Sequence, residues 1–182
     1  MLEIINAKQE LIPFFTKCLL ENDVGVIIDS TMPVDSYIAI DIDKYYHKHV
    51  TPTPEIADIL IVAQKLSQKE KYHIYIVEMK KAKRLKSIRV KNIRGKFETA
   101  IEDFMKKRYE DIFMDDSHHI KIFRLFFVAD VNKMKEKYTP EQIKSFLGNT
   151  KIKTFWSMQP FEYRGFKAII EYEPPNPLLS WN

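Results

Sequence analysis

The hydrophobic and polar positions of the chain form several short runs that are typical of strands. Runs rich in β-branched and aromatic residues predict strands at 24–29, 36–42, 57–63 and 72–80. The turn-like STMPVD separates the first two runs, and the polar QKLSQKEK separates the second two, so we expect two hairpins. A later apolar run at 120–130 predicts one more strand.

Other segments space their apolar residues three and four positions apart, which predicts helices. Residues 6–22 show this spacing, and Pro13 is expected to kink the helix or restart it. The amphipathic stretch 97–109 predicts a second helix that packs on the sheet. The sequence TPEQIKSFLGN predicts a third helix, in which Thr139 and Gln142 form a capping box.

Weaker patterns cover the rest of the chain. A loop is predicted at 45–55, closing strands at 153–158 and 166–173, and an irregular tail at 174–182. Together the predicted elements indicate an α/β or α+β fold around one sheet. With 182 residues and 45% apolar content, the simplest organisation is a single domain over residues 1–182.

Composition excludes several classes of function. The chain has one cysteine, Cys18, so it forms no internal disulfide, and its first residues lack the pattern of a secretory signal. No uncharged apolar stretch approaches the roughly 18 residues of a membrane span. We therefore expect a cytoplasmic protein with no membrane association. With four glycines and no Gly-rich phosphate loop, no nucleotide cofactor is expected.

The strand at 72–80 ends in charged residues that share one face. Side chains two positions apart point the same way in a strand, so Glu78 and Lys80 lie together. The preceding HIYIV is apolar on both faces, which predicts a central strand covered on both sides. An acid and a base at the end of such a strand need a functional reason, although a surface ion pair is the simpler explanation.

Antiparallel pairing of the strands 57–63 and 72–80 brings a second acid to this place. The pairing puts Asp58 opposite Glu78, and directly opposed side chains have Cβ atoms about 4.5–5.5 Å apart. Two carboxylates this close do not both ionise comfortably unless they share a cation. Mg²⁺ is a hard cation that accepts one or two carboxylates and keeps several waters, so it fits this pair.

Asp58, followed after a strand and a loop by Glu78-Met79-Lys80, resembles the core motif of the PD-(D/E)XK nuclease superfamily over residues 57–105. The resemblance implies a restriction endonuclease-like core, with a central mixed sheet flanked by helices. It also implies Mg²⁺ as cofactor, with Mn²⁺ expected to substitute. Asp58, Glu78 and the Met79 carbonyl would bind the metal, and Lys80 would position or activate the attacking water.

The resemblance is incomplete at two points. The first helix of the family often adds another acid, for which Glu10 and Glu21 are the candidates here, with Glu10 preferred. Alanine, not proline, precedes the aspartate at position 57, and the nearest proline is Pro54. The family tolerates that departure.

A strongly basic run follows the proposed site. Residues 80–96 contain nine basic side chains and no acidic one, although the whole chain has a net charge of only +4. Such a run is typical of a solvated face, but its position next to Lys80 also suits a phosphate backbone. The candidate nucleic-acid contacts are Lys81, Lys83, Arg84, Lys86, Arg89, Lys91, Arg94 and Lys96.

The leading hypothesis is a Mg²⁺-dependent DNA endonuclease, a type II restriction-type enzyme that cuts duplex DNA site-specifically as a homodimer. A Holliday-junction resolvase or another structure-specific nuclease of the same fold is an alternative. A ribonuclease H-like nuclease would use Asp41, Asp43 and Asp130 with Glu78, and it would not require Lys80. A non-catalytic nucleic-acid-binding subunit is the last alternative.

Overall fold

The computed structural model describes residues 1–17, 19–21, 23–65, 71–81, 89–130, 138–139, 141–142 and 152–180. The strands are β1 (Leu20–Glu21), β2 (Val24–Gly25), β3 (Ile27–Ile28), β4 (Tyr37–Asp41), β5 (Ile59–Gln64), β6 (Lys71–Lys81), β7 (His119–Asp130), β8 (Phe161–Tyr163), β9 (Phe166–Ala168), β10 (Ile170–Glu173) and β11 (Leu178–Leu179).

The helices are α1 (Leu2–Ala7), α2 (Ile42–His49), α3 (Val90–Thr99), α4 (Glu110–Phe113) and α5 (Ile152–Ser157). Short 3₁₀ turns occupy Ile12–Phe14 and Val34–Ser36, and a wider π-type stretch, Ala100–Arg108, continues α3. Among the helices that the structure describes, none has the length and apolar character that a membrane span requires.

The architecture is a mixed α+β fold around a five-stranded sheet in the order β10-β7-β6-β5-β4. The neighbours β4, β5 and β6 pair antiparallel, whereas β6, β7 and β10 pair parallel. The prediction of a central mixed sheet with helices is confirmed at this level of detail, and the restriction endonuclease-like core stays a prediction.

Strand β6 is the middle strand, and both of its faces are covered. Its residues Ile74 and Ile76 join the larger apolar core, which also contains Phe97 of α3. Tyr75 and Val77 point to the other face and join a smaller core. This arrangement confirms the prediction that the HIYIV segment forms a central strand covered on both sides.

Several predicted elements are confirmed. The strands β5, β6 and β7 lie where the apolar runs placed them, and the helix predicted from residue 97 is present but starts earlier, at Val90. Thr139 and Gln142 form the predicted capping box: the Thr139 amide donates to Gln142 Oε1 at 2.9 Å, and the Gln142 amide donates to Thr139 Oγ1 at 3.2 Å. The rest of that predicted helix lies outside the described residues.

The helix predicted at 6–22 is wrong. Helix α1 ends at Ala7, and only a 3₁₀ turn forms around Pro13, which lacks an amide donor. The following residues run beside the edge strand β4, where the Thr16 amide donates to the Ala39 carbonyl at 3.0 Å. The unpaired backbone of an edge strand offers these hydrogen bonds. They stabilise the extended conformation more than the helical spacing of the apolar residues stabilises a helix.

The loop predicted at 45–55 is also wrong in its first half, because α2 occupies Ile42–His49. Asp41 caps this helix, since its Oδ1 accepts a hydrogen bond from the Lys44 amide at 2.8 Å. Tyr45 and Tyr46 are buried on one face of the helix.

Strand partners near the two chain ends differ from the predictions as well. The runs at 24–29 and 36–42 do not form a hairpin with each other, because β3 pairs with β11 and β4 pairs with β5. The predicted strand at 153–158 is instead helix α5, in which Phe155 is buried. Aromatic content alone favoured a strand there, although buried aromatics also occur on helices.

Candidate active site

The predicted juxtaposition of two acids is present at one end of the sheet. Ile59 pairs with Val77, so Asp58 comes next to Glu78 in the register. The Asp58 amide donates to the Val77 carbonyl at 3.1 Å, and Asp58 Oδ2 accepts the Met79 amide at 2.5 Å. The backbone of β6 therefore holds Asp58 at the end of the central strand.

Glu78 is a buried acid that makes one close ion pair. Its side chain is 3% exposed, although it lies three residues before the end of β6 and beyond the last residue that pairs with β5. Lys96 of α3 places its Nζ 2.8 Å from Glu78 Oε1 and 2.9 Å from Oε2. One ammonium group thus contacts both oxygens of the buried carboxylate.

The pKa shifts of Glu78 and Lys96 indicate that negative charge exceeds positive charge around this pair. Burial, followed by the neighbouring Asp58 carboxylate, raises the pKa of Glu78 to about 8, even though Lys96 and Lys80 oppose the rise. Burial acts to lower the pKa of Lys96, but Glu78, Asp58 and Asp43 together raise that pKa above its ordinary value. Several carboxylates therefore act on one lysine, and an additional cation would stabilise the ionised form of Glu78.

The two acids open into two clefts. A cleft of about 370 Å³ is lined by Glu55, Glu78, Lys80, Arg89, Asn92, Ile93 and Lys96. A second cleft of about 270 Å³ is lined by Thr16, Leu20, Asp41, Asp43, Asp58, Ile59 and Met79. We call them the lysine cleft and the aspartate cleft. Each cleft exposes one member of the acid pair, and the two carboxylates lie near enough to act electrostatically on each other.

The donor atoms suit a hard cation with few protein ligands. Within the described ranges, no three His, Cys, Asp or Glu side chains form a cluster that could hold a metal ion. Mg²⁺ does not need such a cluster, because it binds through one or two carboxylates and keeps several waters. Asp58 and Glu78, which act electrostatically on each other, are the two carboxylates predicted to bind it. Met79 contributes its amide to Asp58, and metal binding by its carbonyl stays a prediction.

The structure places the predicted site residues unequally. Lys80 lines the lysine cleft beside Glu78, as expected from the strand geometry. Glu10 is exposed and acts electrostatically on Lys8 and Tyr109, and it lines neither cleft. The predicted helix that would have carried Glu10 to the site is not formed. The side chain of Glu21, the other candidate, lies outside the described part of the chain.

The candidates of the basic run whose side chains the structure describes divide into three groups. Arg89 and Lys91 are exposed at the start of α3, where a phosphate backbone can reach them. Arg94 instead donates to the Gln159 carbonyl at 2.8 Å and lies 4.4 Å from the centre of the Phe161 ring, so packing occupies it. Lys96 is paired with Glu78. The remaining candidates, Lys83, Arg84, Lys86 and the side chain of Lys81, are outside the described residues.

The acids of the ribonuclease H-like alternative are only partly assembled. Asp41 and Asp43 line the aspartate cleft with Asp58, but Asp130 is not among the residues lining either cleft. Asp41 caps α2 through Lys44, which gives its carboxylate a structural role. The arrangement therefore supports this alternative less well than the Asp58 and Glu78 pair.

Sequence reasoning named Arg89 and Lys96 only as candidate nucleic-acid contacts, and it missed Asn92 and the pairing of Lys96 with Glu78. Arg89, Asn92 and Lys96 all line the lysine cleft. Arg89 immediately precedes α3, and Asn92 and Lys96 lie four positions apart on one face of the helix. Asn92 also donates to Glu55 Oε1 at 3.1 Å across the cleft. The spacing was present in the sequence, but the predicted start of the helix at residue 97 concealed it.

Comparison with known proteins adds no identification. No match to this chain was found among protein-family models, curated proteins or solved structures.

Proposed function

We propose that the chain is a Mg²⁺-dependent endonuclease that hydrolyses DNA phosphodiester bonds, of the type II restriction kind and acting as a homodimer. The observation that carries the proposal is Glu78, a buried acid near the end of the central strand, adjacent to Asp58 and open to a cleft lined by basic side chains. The resemblance to PD-(D/E)XK nucleases rests on the same residues and suggests the same chemistry.

Stability alone gives no reason for this arrangement. Removing a carboxylate from water carries a desolvation penalty that one ion pair seldom repays in full. Charged groups with strongly perturbed pKa values in clefts are more common at functional sites than elsewhere. Glu78 meets both conditions, since its pKa is raised to about 8 and it lines the lysine cleft.

Each group of the site would have a distinct task in hydrolysis. Asp58 and Glu78 would hold the metal, and the bound Mg²⁺ would supply Lewis-acid stabilisation of charge on the phosphate. Lys80 would orient the attacking water or stabilise the charge that develops during the reaction. Arg89 would contact a neighbouring phosphate, since it is exposed at the rim of the same cleft.

The proposal is tested by a panel of substrates. The purified protein is incubated with plasmid and genomic duplex DNA, a four-way junction, single-stranded DNA and RNA, with Mg²⁺ or with EDTA. We expect discrete fragments from duplex DNA in Mg²⁺ and none in EDTA. Glu78→Gln should be inactive, whereas Glu110→Gln, which changes an exposed acid on α4, should retain wild-type activity.

Other outcomes of the panel identify the alternatives. Cleavage confined to the four-way junction would replace restriction activity with junction resolution. Tight binding of nucleic acid that is equal in Mg²⁺ and EDTA, with no cleavage of any substrate, would contradict an enzyme and favour a binding subunit. Duplex or RNA cleavage that Lys80→Ala leaves intact would favour the ribonuclease H-like chemistry.

A further inference from the structure

Lys96 lies where the charge of a bound cation would be needed. Its Nζ contacts both oxygens of Glu78, at 2.8 and 2.9 Å. The carboxylates of Asp58 and Asp43 also act on the same ammonium group. Acids that line both clefts therefore act electrostatically on a single amine, which itself lines the lysine cleft.

The two partners of this ion pair differ in their freedom to move. The side chain of Glu78 is 3% exposed and belongs to the central strand, so it has little room to reorient. The side chain of Lys96 is 25% exposed and ends a flexible aliphatic chain on a helix that borders the lysine cleft. If the pair separates, the amine is the partner that can move into the cleft.

A divalent cation bound to Glu78 would lie close to the Lys96 ammonium group, because that group contacts both carboxylate oxygens. The two positive charges would repel each other at such a short separation. Metal binding therefore favours withdrawal of the amine from Glu78. The free energy needed to withdraw the amine makes the free energy of metal binding less favourable by the same amount.

We propose that Lys96 is the resident counter-ion of this site, which neutralises and orients Glu78 when no metal is bound and is displaced from it by a divalent cation. This inference depends on the proposed function, because it requires Glu78 to bind a metal. It makes Lys96 a positioning residue that tunes metal affinity. It also replaces the earlier prediction that Lys96 is a simple phosphate contact.

The first test measures cation binding without any substrate. Mn²⁺ or Ca²⁺ is titrated calorimetrically into wild type, Lys96→Met, Lys96→Arg and Glu78→Gln, all in the same buffer and at the same pH. Lys96→Met should bind at least about tenfold more tightly than wild type, because the competing charge is gone. Lys96→Arg, which keeps that charge, should stay near wild type, and Glu78→Gln should lose binding.

A second test uses the unaltered protein, so it does not depend on a variant that folds. An amine-reactive reagent is applied briefly with and without Mn²⁺, and modification at each lysine is measured by mass spectrometry. Saturating metal should increase the modification of Lys96 severalfold. Lys106 is a matched control, since its side chain is 26% exposed and its Nζ lies 2.7 Å from Glu102 Oε1. Its modification should not change.

The outcomes separate this inference from the function on which it depends. If wild type binds the cation and Glu78→Gln does not, but Lys96→Met binds no more tightly and Lys96 stays protected, the counter-ion role is wrong and the metal site stands. If neither wild type nor Lys96→Met binds any divalent cation, the proposed metal-dependent function is wrong, and the counter-ion role is wrong with it. Tighter binding by Lys96→Met together with exposure of Lys96 supports both.

Discussion

At the scale of single residues, the site is organised around a carboxylate that the fold holds at an energetic disadvantage. Glu78 is buried next to Asp58, and both burial and that neighbour raise its pKa to about 8. Lys96 relieves part of this disadvantage. A residue retained under such conditions is better explained by a ligand than by stability.

Glu78→Gln should therefore leave the metal-free protein at least as stable as wild type. The substitution removes a charge that is buried away from water, and the new amide oxygen can still accept a hydrogen bond from Lys96. If that hydrogen bond does not form, the Lys96 side chain can turn toward solvent. The midpoint of thermal unfolding in EDTA measures this effect. Metal-dependent cleavage by the same variant should fall by at least about 100-fold.

A second ion pair provides the control for that measurement. Glu171 of β10 forms a two-point hydrogen-bonded pair with Arg124 of β7, away from both clefts. Glu171→Gln should lower stability by about 0–1 kcal/mol, as expected for a partly exposed pair. If Glu78→Gln lowers the midpoint of thermal unfolding by more than Glu171→Gln does, this would contradict the view that Glu78 reduces the stability of the metal-free protein.

At the scale of secondary structure elements, the small strands beside the sheet depend on one glycine. Gly25 of β2 lies so close to the neighbouring chain that an added Cβ would sit 1.8 Å from the Leu19 carbonyl oxygen. The obstacle is backbone, so it cannot move aside as a side chain would. The pairing of β1 with β2 requires this close approach.

Gly25→Ala should destabilise the protein by about 1–3 kcal/mol or more, because the methyl group forces the β1 and β2 pair apart. The free energy of unfolding in urea measures the change. Gly95→Ala is the matched control: a Cβ at this position of α3 meets nothing within 4 Å. It should be neutral or stabilise by up to about 1 kcal/mol, since alanine favours the helix. Equal effects of the two changes would contradict the steric explanation.

Sequence patterns predicted the elements whose own residues decide their structure. The strands β5, β6 and β7 are long apolar runs, and the register that places Asp58 beside Glu78 follows from the alternation of the strands and the length of their connection. The two acids and Lys80 could be located from sequence for this reason. The capping box at Thr139 is equally local.

Elements that depend on distant partners could not be predicted in the same way. The segment after α1 follows the edge of β4, and β3 pairs with a strand near the other end of the chain. Helix α2 was missed because the prolines at positions 52 and 54 suggested a loop, although Asp41 stands at its start as a possible cap. Lys96 could not be assigned to Glu78 until α3 was placed on β6.

At the scale of the whole molecule, exposed basic residues lie at both ends of the central strand β6, and the candidate site lies at one of these ends. The site lies where β6 ends, and α3 begins nearby with the exposed Arg89 and Lys91. The two parallel strands β6 and β7 begin at the opposite end, where Lys121 is exposed. A nucleic acid that reaches the lysine cleft would therefore contact the first two basic residues and not the third.

Binding of duplex DNA should be steeply salt-dependent and should respond to these positions differently. In EDTA, which prevents cleavage, Arg89→Ala or Lys91→Ala should weaken binding and reduce the slope of log affinity against log salt by about one each. Lys121→Ala should leave the slope unchanged. A slope that falls equally for all three changes would indicate nonspecific attraction and would contradict an approach through the lysine cleft.

The central claim is that Asp58 and Glu78 form a metal-dependent phosphodiesterase centre. Its most direct test compares the rate of Mg²⁺-dependent DNA cleavage by wild type, Asp58→Asn and Glu78→Gln, each purified identically and confirmed to be folded. The account predicts cleavage by wild type that stops in EDTA and falls by at least about 100-fold in both variants. Cleavage that persists in both folded variants, or wild-type protein that cuts no nucleic acid in Mg²⁺ or Mn²⁺, would contradict it.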